Sequence, residues 1–245
     1  MALFTSYSDT LFETVSIERC FYKNIVDIFL ETIKLNNISE EEIKRRVEIV
    51  GIELINRALE RGQSVVLMLG HFGNWEWVTS SAPAMNHDAV IGQIYHPLGN
   101  KVMDRIMLKL RSRFGTENIP MSKSVRRLLG IHQNNGKFVC GFIADQRPLS
   151  GVRKHWTCFC GIETAYVTGA EVVGAKIGAE FIYAEMLRTE RGHYQLSLSR
   201  ITPIPDNNEY PYSRAFLTKL EESIMRSPSS WLWSHNRWKH TRISK

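Results

Sequence analysis

One junction constrains the fold more than any other stretch of the chain. An apolar run at 64–69 is followed at once by His71-Phe72-Gly73-Asn74-Trp75-Glu76. On a regular helix, five residues at roughly 100° each would leave His71 and Glu76 about 140° apart, so a helix cannot bring the two side chains together. The pattern therefore predicts a buried strand over 64–69, a turn over 70–73 and a helix that opens near Asn74. Glu76, in the first turn of that helix, would then reach back to the imidazole.

A histidine held by a carboxylate is a good base for proton transfer. An imidazole titrates near ~6.5, so it can take a proton from a hydroxyl at neutral pH. The carboxylate on its other ring nitrogen fixes the tautomer and stabilises the imidazolium that forms. The junction thus predicts a catalytic pair, His71 and Glu76, with Gly73 and Asn74 shaping the turn. By itself, however, this spacing arises more often by accident in a core or on a surface.

Length and composition favour one folded domain over 1–245. A chain of 245 residues can bury one substantial core, and 43% hydrophobic with 23% charged residues is ordinary for a globular protein. The four cysteines follow no secretory signal, which predicts reduced thiols. Cys158 and Cys160 lack the spacing and the second ligand pair of a zinc site, so no metal is expected.

Charge narrows the class of partner. A net charge of +6 and a pI near 9.2 favour an anionic partner: phospholipid headgroups, a phosphorylated glycolipid, an acidic carrier protein or nucleic acid. A nucleic-acid-binding protein is the alternative outside the enzymes, but recognised binding motifs are missing. A hydrolase that uses His71 to activate water is the nearest enzymatic rival, although no G-x-S-x-G elbow supplies a serine nucleophile.

Helix and strand patterns alternate along the chain, which predicts an α/β fold with a mixed, mostly parallel central sheet flanked by helices. Predicted helices lie at 40–62, 101–114, 122–133, 164–178 and 212–226, and predicted strands at 64–69, 89–95, 137–144, 179–187 and 194–201. The first helix begins with a capping box at Ser39. The helix over 101–114 carries an apolar stripe of Val102, Ile106, Leu110 and Phe114 beside a basic stripe of Lys101, Arg105, Lys109 and Arg113. The strand over 137–144 delivers Asp145 to its carboxyl end, where functional side chains gather.

Several motifs together resemble one family. The junction resembles the H-x4-D/E signature of glycerolipid and lysophospholipid acyltransferases, and HFGNWE resembles bacterial late lipid A acyltransferases specifically. Three further blocks occur in that family's order and extend the resemblance over about residues 20 to 240. They are the stretch from Tyr95-His96-Pro97-Leu98-Gly99-Asn100 to Phe114-Gly115, Ala144-Asp145-Gln146-Arg147-Pro148, and the ending Trp231-Leu232-Trp233-Ser234-His235-Asn236-Arg237-Trp238-Lys239.

The resemblance implies an O-acyltransferase. It implies an acyl thioester donor, on acyl carrier protein or coenzyme A, no other cofactor, and a hydroxyl acceptor on a lipid A precursor; aminolipids and other lysolipids remain open. His71 would deprotonate the acceptor, with Glu76 orienting the ring. Arg111, or Arg113 if the register differs, would bind a phosphate or the developing negative charge. Asp145 would hold substrate or active-site arginines, and Gln146, Gly73 and Asn74 complete the predicted substrate-binding set.

Membrane association is a further expectation from the resemblance. Such enzymes act at the cytoplasmic face of the bacterial inner membrane, usually with a hydrophobic anchor near the N-terminus. No run here approaches the roughly 18 to 20 apolar residues of a transmembrane helix, so the chain either starts late or associates peripherally. The segment 20–30, within a membrane-proximal helix over 1–35, either lies on a membrane through Phe21, Ile25, Ile28 and Phe29 or packs on the core, the more usual outcome. The tryptophans at the C-terminal end likewise fit either an interfacial patch or the core.

Overall fold

The computed structural model describes residues 11–85, 88–206 and 208–239, with the side chains of 11–13 left out. The strands are β1 (Val47–Val50), β2 (Val65–Leu69), β3 (Ala89–Tyr95), β4 (Glu117–Pro120), β5 (Lys137–Ile143), β6 (His155–Phe159), β7 (Ile162–Tyr166), β8 (Glu180–Glu190) and β9 (His193–Arg200). The α-helices are α1 (Leu11–Lys34), α2 (Glu40–Arg46), α3 (Ile52–Glu60), α4 (Lys101–Arg111), α5 (Ser124–Gln133), α6 (Gly169–Lys176) and α7 (Pro211–Arg226). Short 3-10 helices span Trp75–Ala84, Met121–Lys123 and Pro228–Ser230.

Seven strands form the central sheet, in the order β1-β9-β8-β2-β5-β3-β4. The pair β8–β9 is antiparallel and the other neighbours are parallel, while β6 and β7 form a separate antiparallel hairpin. Helices α5, α6 and α7 pack on one face, and α2, α3, α4 and the 3-10 helix Trp75–Ala84 pack on the other. The prediction of a single α/β domain with a mostly parallel sheet is confirmed.

The predicted helix over 40–62 is wrong in its middle. Ser39 caps α2 as expected, because its hydroxyl oxygen accepts from the Glu42 amide. The chain then leaves the helix for the edge strand β1, paired with β9. Val47, Ile49 and Val50 favour a strand, and Gly51 turns the chain into α3 at a φ of +88°.

Two other predicted helices also need correction. The segment 164–178 begins as strand β7 and becomes helical only at Gly169, so the hairpin β6–β7 was missed. Helix α4 ends at Arg111, and its apolar stripe packs only at the C-terminal end: Leu110 and Phe114 are buried, whereas Val102 and Ile106 are exposed. The N-terminal half of α4 therefore presents apolar side chains to solvent.

The helix that opens after Asn74 is a 3-10 helix. The hydroxyls of Thr79, Ser80 and Ser81 each donate to the carbonyl three residues earlier, and Pro83 lacks an amide hydrogen. Both features oppose regular α-helical bonding. Ten residues is long for a 3-10 helix, and buried contacts of Trp77 and Val78 hold it to the sheet.

Helix α1 packs on the core, although not with every side chain that the sequence suggested. Phe21 and Ile28 are buried, which confirms the packing interpretation for them, whereas Phe29 is 61% exposed. Residues 1–10 of the predicted membrane-proximal segment lie outside the described residues. Among the helices that the structure describes, none combines the length and the hydropathy that crossing a bilayer requires.

Candidate active site

His71 and Asp145 meet because their strands are neighbours. Strands β2 and β5 run parallel, with Leu69 opposite Ile143, and the Ala144 amide donates to the Leu69 carbonyl at 3.0 Å. The chain continues past both carboxyl ends at the same edge of the sheet. The two side chains, 74 residues apart in sequence, therefore reach the same point.

Asp145 holds the imidazole from two directions. Its Oδ1 accepts from Nδ1 of His71 at 2.7 Å, and its Oδ2 accepts from the His71 backbone amide at 2.9 Å and from Nε1 of Trp231 at 2.8 Å. Burial alone would raise the pKa of this 2% exposed carboxyl, but the charge and hydrogen bonds of His71, with the Trp231 bond, hold the pKa below its usual value. Asp145 is therefore an ionised partner that fixes the ring.

The second ring nitrogen of His71 has only a long hydrogen bond. With hydrogen on Nδ1, Nε2 carries a lone pair that accepts from the side-chain amide of Gln146 at 3.4 Å, a bond that a substrate hydroxyl could replace. The ring edge contacts Trp75, with 5.1 Å between ring centroids, and 18% of the His71 side chain is exposed. Nε2 can thus accept a proton from a molecule that enters beside Trp75 and Gln146.

Glu76 does not orient the imidazole, so the predicted contact is wrong. Both of its carboxylate oxygens are bound by Arg111, whose Nε donates to Oε2 at 2.8 Å and whose Nη2 donates to Oε1 at 2.6 Å. The bidentate pair is mostly buried and joins α4 to the 3-10 helix that begins beside His71. Burial opposes the charge on Arg111, but the hydrogen bonds and charge of Glu76 raise the pKa of Arg111 overall, so the guanidinium stays charged.

Gly73 and Asn74 shape the turn, as expected. Gly73 has a φ of +57°, and a Cβ there would lie 1.7 Å from the Met186 carbonyl oxygen, so only glycine fits. The Asn74 side chain caps the 3-10 helix through the Trp77 amide and donates to Glu31 Oε2 at 2.7 Å. Asn74 is fully buried, which leaves its side chain no surface for a substrate.

Two backbone amides of the turn already donate hydrogen bonds within the protein, so neither is free to donate to an oxyanion. The His71 amide donates to Asp145, and the Gly73 amide donates to the Ser230 carbonyl at 2.9 Å. The Leu232 amide donates in turn to the His71 carbonyl at 3.0 Å. The C-terminal segment is therefore bound directly to the turn that carries His71, a connection that the sequence did not reveal.

Arg113 and the C-terminal segment serve the fold. The Arg113 guanidinium donates to the carbonyls of Leu35, Asn36 and Ile38, which joins α4 to the turn after α1. Trp231 is 3% exposed, so its interfacial interpretation is wrong and its core interpretation is confirmed. Arg237 is 2% exposed and stacks over the Phe159 ring.

Arg237 is unusual because its charge lacks a bonded counter-ion. None of its three guanidinium nitrogens has a hydrogen-bond partner among the residues that the structure describes. Burial lowers the pKa of Arg237 to about 10, against the opposing effect of nearby Asp145. In the same segment, burial lowers the pKa of His235, and its Nε2 also lacks a partner within the described residues.

An apolar cavity lies beside Trp75, on the side of the sheet that carries the 3-10 helix. Its walls include Leu69, Trp75, Met85, Gly141 and Ile143. The cavity has a volume of about 480 Å³ if its open mouth is included, but only about 40 Å³ of it is wide enough for water. A long apolar chain would enter only if these side chains moved apart.

Comparison with known proteins shows which family the sequence matches. The sequence model of the family described as bacterial lipid A biosynthesis acyltransferase matches residues 13–240. A protein named lipid A biosynthesis acyltransferase from Haemophilus influenzae (strain ATCC 51907 / DSM 11121 / KW20 / Rd) is 21% identical over 197 residues. The alignment covers 80% of this chain and 60% of that relative, so the chain spans little more than half of the relative's length.

Proposed function

The chain belongs to the bacterial lipid A biosynthesis acyltransferase family, and on that premise we propose that it transfers a fatty acyl chain from a thioester to a hydroxyl of a lipid A precursor or a related glycolipid. One observation carries the proposal: Asp145 Oδ1 lies 2.7 Å from Nδ1 of His71, which favours the tautomer with hydrogen on Nδ1 and an accepting lone pair on Nε2. Such an arrangement suits a general base that needs no acyl-enzyme.

The chemistry follows from this tautomer. Nε2 of His71 takes the proton of the acceptor hydroxyl as its oxygen attacks the thioester carbonyl. The tetrahedral intermediate then expels the thiolate, which recovers the proton from the imidazolium. Asp145, kept ionised, stabilises the imidazolium between the two steps. The donor is an acyl carrier protein thioester, whose acidic carrier would suit the net charge of +6, or an acyl-coenzyme A.

Glu76 and Arg111 act through position in this proposal. Their ion pair fixes the start of the 3-10 helix, and with it Trp75, against the imidazole. Because both carboxylate oxygens of Glu76 bind the guanidinium, the charge of Arg111 is balanced within the pair. This replaces the direct contact between Glu76 and His71 that the spacing suggested.

The cavity beside Trp75 is the best candidate site for the acyl chain. It is apolar, and Trp75 both lines it and contacts the imidazole of His71. Gly141 tests this placement. A Cβ at Gly141 would meet its nearest neighbours at an ordinary 3.8 Å, so Gly141→Ala adds a methyl group to the cavity without a clash. The variant should shift the preferred donor toward shorter chains, measured with a series of acyl thioesters. Gly130→Ala on α5, with open space around it, is the matched control and should leave the preference unchanged.

The decisive experiment is an acceptor panel read by mass spectrometry. The protein is incubated with acyl carrier protein thioesters or acyl-coenzyme A and with lipid A precursors, lysolipids or aminolipids. We expect an ester product with the parent protein, and a loss of about a thousandfold or more with His71→Ala. The exposed His132 offers a matched control, because His132→Ala removes an imidazole far from the turn. An acylated product at the parent rate from His71→Ala would refute the assignment, and acylated lysolipid or aminolipid alone would redirect the acceptor.

The proposed location is the cytoplasmic face of the bacterial inner membrane, where a lipid acceptor and a soluble thioester donor meet. The basic balance of the chain supports contact with anionic headgroups. Fractionation of cells that express the chain, with and without a high-salt wash, tests this location.

A further inference from the structure

Helix α1 presents a second apolar face, which points away from the core. Six large apolar side chains on it are between 48% and 61% exposed: Val15, Tyr22, Val26, Phe29, Leu30 and Ile33. Tyr22, Val26, Phe29 and Ile33 follow one another at steps of three and four residues, Leu30 lies beside Phe29, and Val15 lies on the same side two turns earlier. Scattered exposed apolar residues are ordinary, but a stripe with five such residues on adjacent turns marks an interaction surface.

Polar contacts fix this stripe outward. On the inner side of α1, the Asn24 side chain donates to the Ser229 carbonyl at 3.0 Å, and Asp27 accepts from Arg188 at 2.8 Å and from Arg191 at 2.8 Å. Glu31 accepts from Asn74 of the catalytic turn. Rotating α1 to bury the stripe would break all of these bonds, so the exposed face is its stable orientation.

A basic groove runs beside the stripe. Four cationic residues line it, Arg19, Lys23, Arg188 and Arg191, against the single carboxylate of Asp27. The groove is open and offers about 780 Å³ to a water-sized sphere. Two of its walls, Tyr22 and Val26, belong to the stripe, so the apolar and the basic surfaces are continuous.

We infer that this face of α1 docks on an anionic phospholipid surface, with the stripe at the boundary between headgroups and acyl chains and the groove against headgroup phosphates. Apolar residues flanked by cations are the composition that binds such a surface in the plane of the membrane. The charge of the groove selects anionic lipids. This inference goes beyond acyl transfer, because docking does not require His71.

Vesicle co-sedimentation tests the inference without reference to catalysis. The protein is mixed with vesicles of equal parts phosphatidylglycerol and phosphatidylcholine, or of phosphatidylcholine alone. We expect binding to the first that weakens as salt is raised, and little to the second. Val26→Gln/Phe29→Gln/Ile33→Gln should reduce the partition coefficient about tenfold or more. The matched control is Val125→Gln/Val172→Gln, residues of similar exposure on α5 and α6.

Two more variants complete the design. Arg19→Gln/Lys23→Gln should weaken binding and flatten its salt dependence, whereas Arg126→Gln/Lys176→Gln, exposed on the opposite face, should not. His71→Ala should bind vesicles like the parent, which separates docking from catalysis. If the triple variant melts at a lower temperature, Phe29→Gln alone replaces it.

Three results would overturn the inference. The first is equal binding by the parent and the stripe variants, and the second is equal loss in the stripe variants and the α5/α6 control. The third is no vesicle binding together with self-association that the stripe variants abolish, because a second copy of the chain would then cover the stripe.

Discussion

Two buried carboxylates lie at the candidate site, and they differ in the side chain that each one binds. Asp145, at a strand end, faces an imidazole, whereas Glu76, on the 3-10 helix, faces the guanidinium of Arg111. A guanidinium keeps its proton at every relevant pH, so the ion pair of Glu76 and Arg111 has a structural role and holds α4 to the 3-10 helix. An imidazole gains and loses its proton near neutrality, so only the Asp145 pair can move one. Proximity in sequence pointed to Glu76, but the imidazole is bound by the carboxylate 74 residues away.

Asp145→Asn should produce the largest effect among changes to either carboxylate. If the amide oxygen keeps the bonds from the His71 amide and Trp231, the amide nitrogen faces Nδ1 and forces the hydrogen onto Nε2. The base then has the wrong tautomer, and kcat should fall by about a hundredfold to ten-thousandfold. Steady-state kinetics measure the change, and a loss smaller than that of Glu76→Gln would reverse the comparison.

The same substitution should alter stability in acid. The folded pKa of Asp145 lies below its unfolded value near ~3.9, so its stabilising effect is present above that pH and is lost as the pH falls through the lowered pKa. Urea unfolding between about pH 6 and pH 3 should therefore show a shallower acid decline in Asp145→Asn than in the parent. Identical declines would indicate that folding does not lower the pKa of Asp145.

Glu76→Gln should affect stability more than chemistry. Removing one charge of a mostly buried bidentate pair should cost about 2 kcal/mol, with a fall in kcat/KM of about tenfold as Trp75 loosens. The double variant Glu76→Gln/Arg111→Gln should lose less than the sum of the single variants, because each single change leaves a buried partner unpaired. If the losses in the free energy of unfolding were strictly additive, the structural role of this ion pair would be contradicted.

Arg237→Met should give the smallest effect, and in the opposite direction. Unlike the charges of Asp145 and Glu76, that of Arg237 has no hydrogen-bonded partner in the described part of the chain, and methionine fills a similar volume without the desolvation cost. We expect a gain of about 1 kcal/mol in the free energy of unfolding. A clear loss would reveal a counter-ion that pairs with this guanidinium in solution.

How much the sequence could predict depends on whether the determinant is local. The strand before His71 and the turn at Gly73 follow from adjacent residues, and the strand end at Asp145 follows in the same way. That Asp145 meets His71 depends on β5 lying next to β2, which is a property of sheet order rather than of either segment. The spacing of residues in the sequence therefore could not predict which carboxylate binds the imidazole.

The errors in secondary structure have the same origin. Ile43, Val47, Val50, Leu54 and Ala58 follow helical spacing, but pairing with β9 and the left-handed turn at Gly51 divide the segment. The motif favoured Arg111 over Arg113 only by its register, and the fold shows that Arg111 binds Glu76 while Arg113 binds carbonyl groups.

The central claim is that Asp145 holds the His71 hydrogen on Nδ1 and leaves Nε2 free to accept the acceptor proton. Two-dimensional ¹H–¹⁵N correlation of the imidazole ring in histidine-labelled protein, assigned by the signal missing from His71→Ala, reads this directly. We expect a protonated Nδ1 and an unprotonated Nε2 above neutral pH, with the pattern lost in Asp145→Asn. A hydrogen on Nε2 in the parent protein would contradict it.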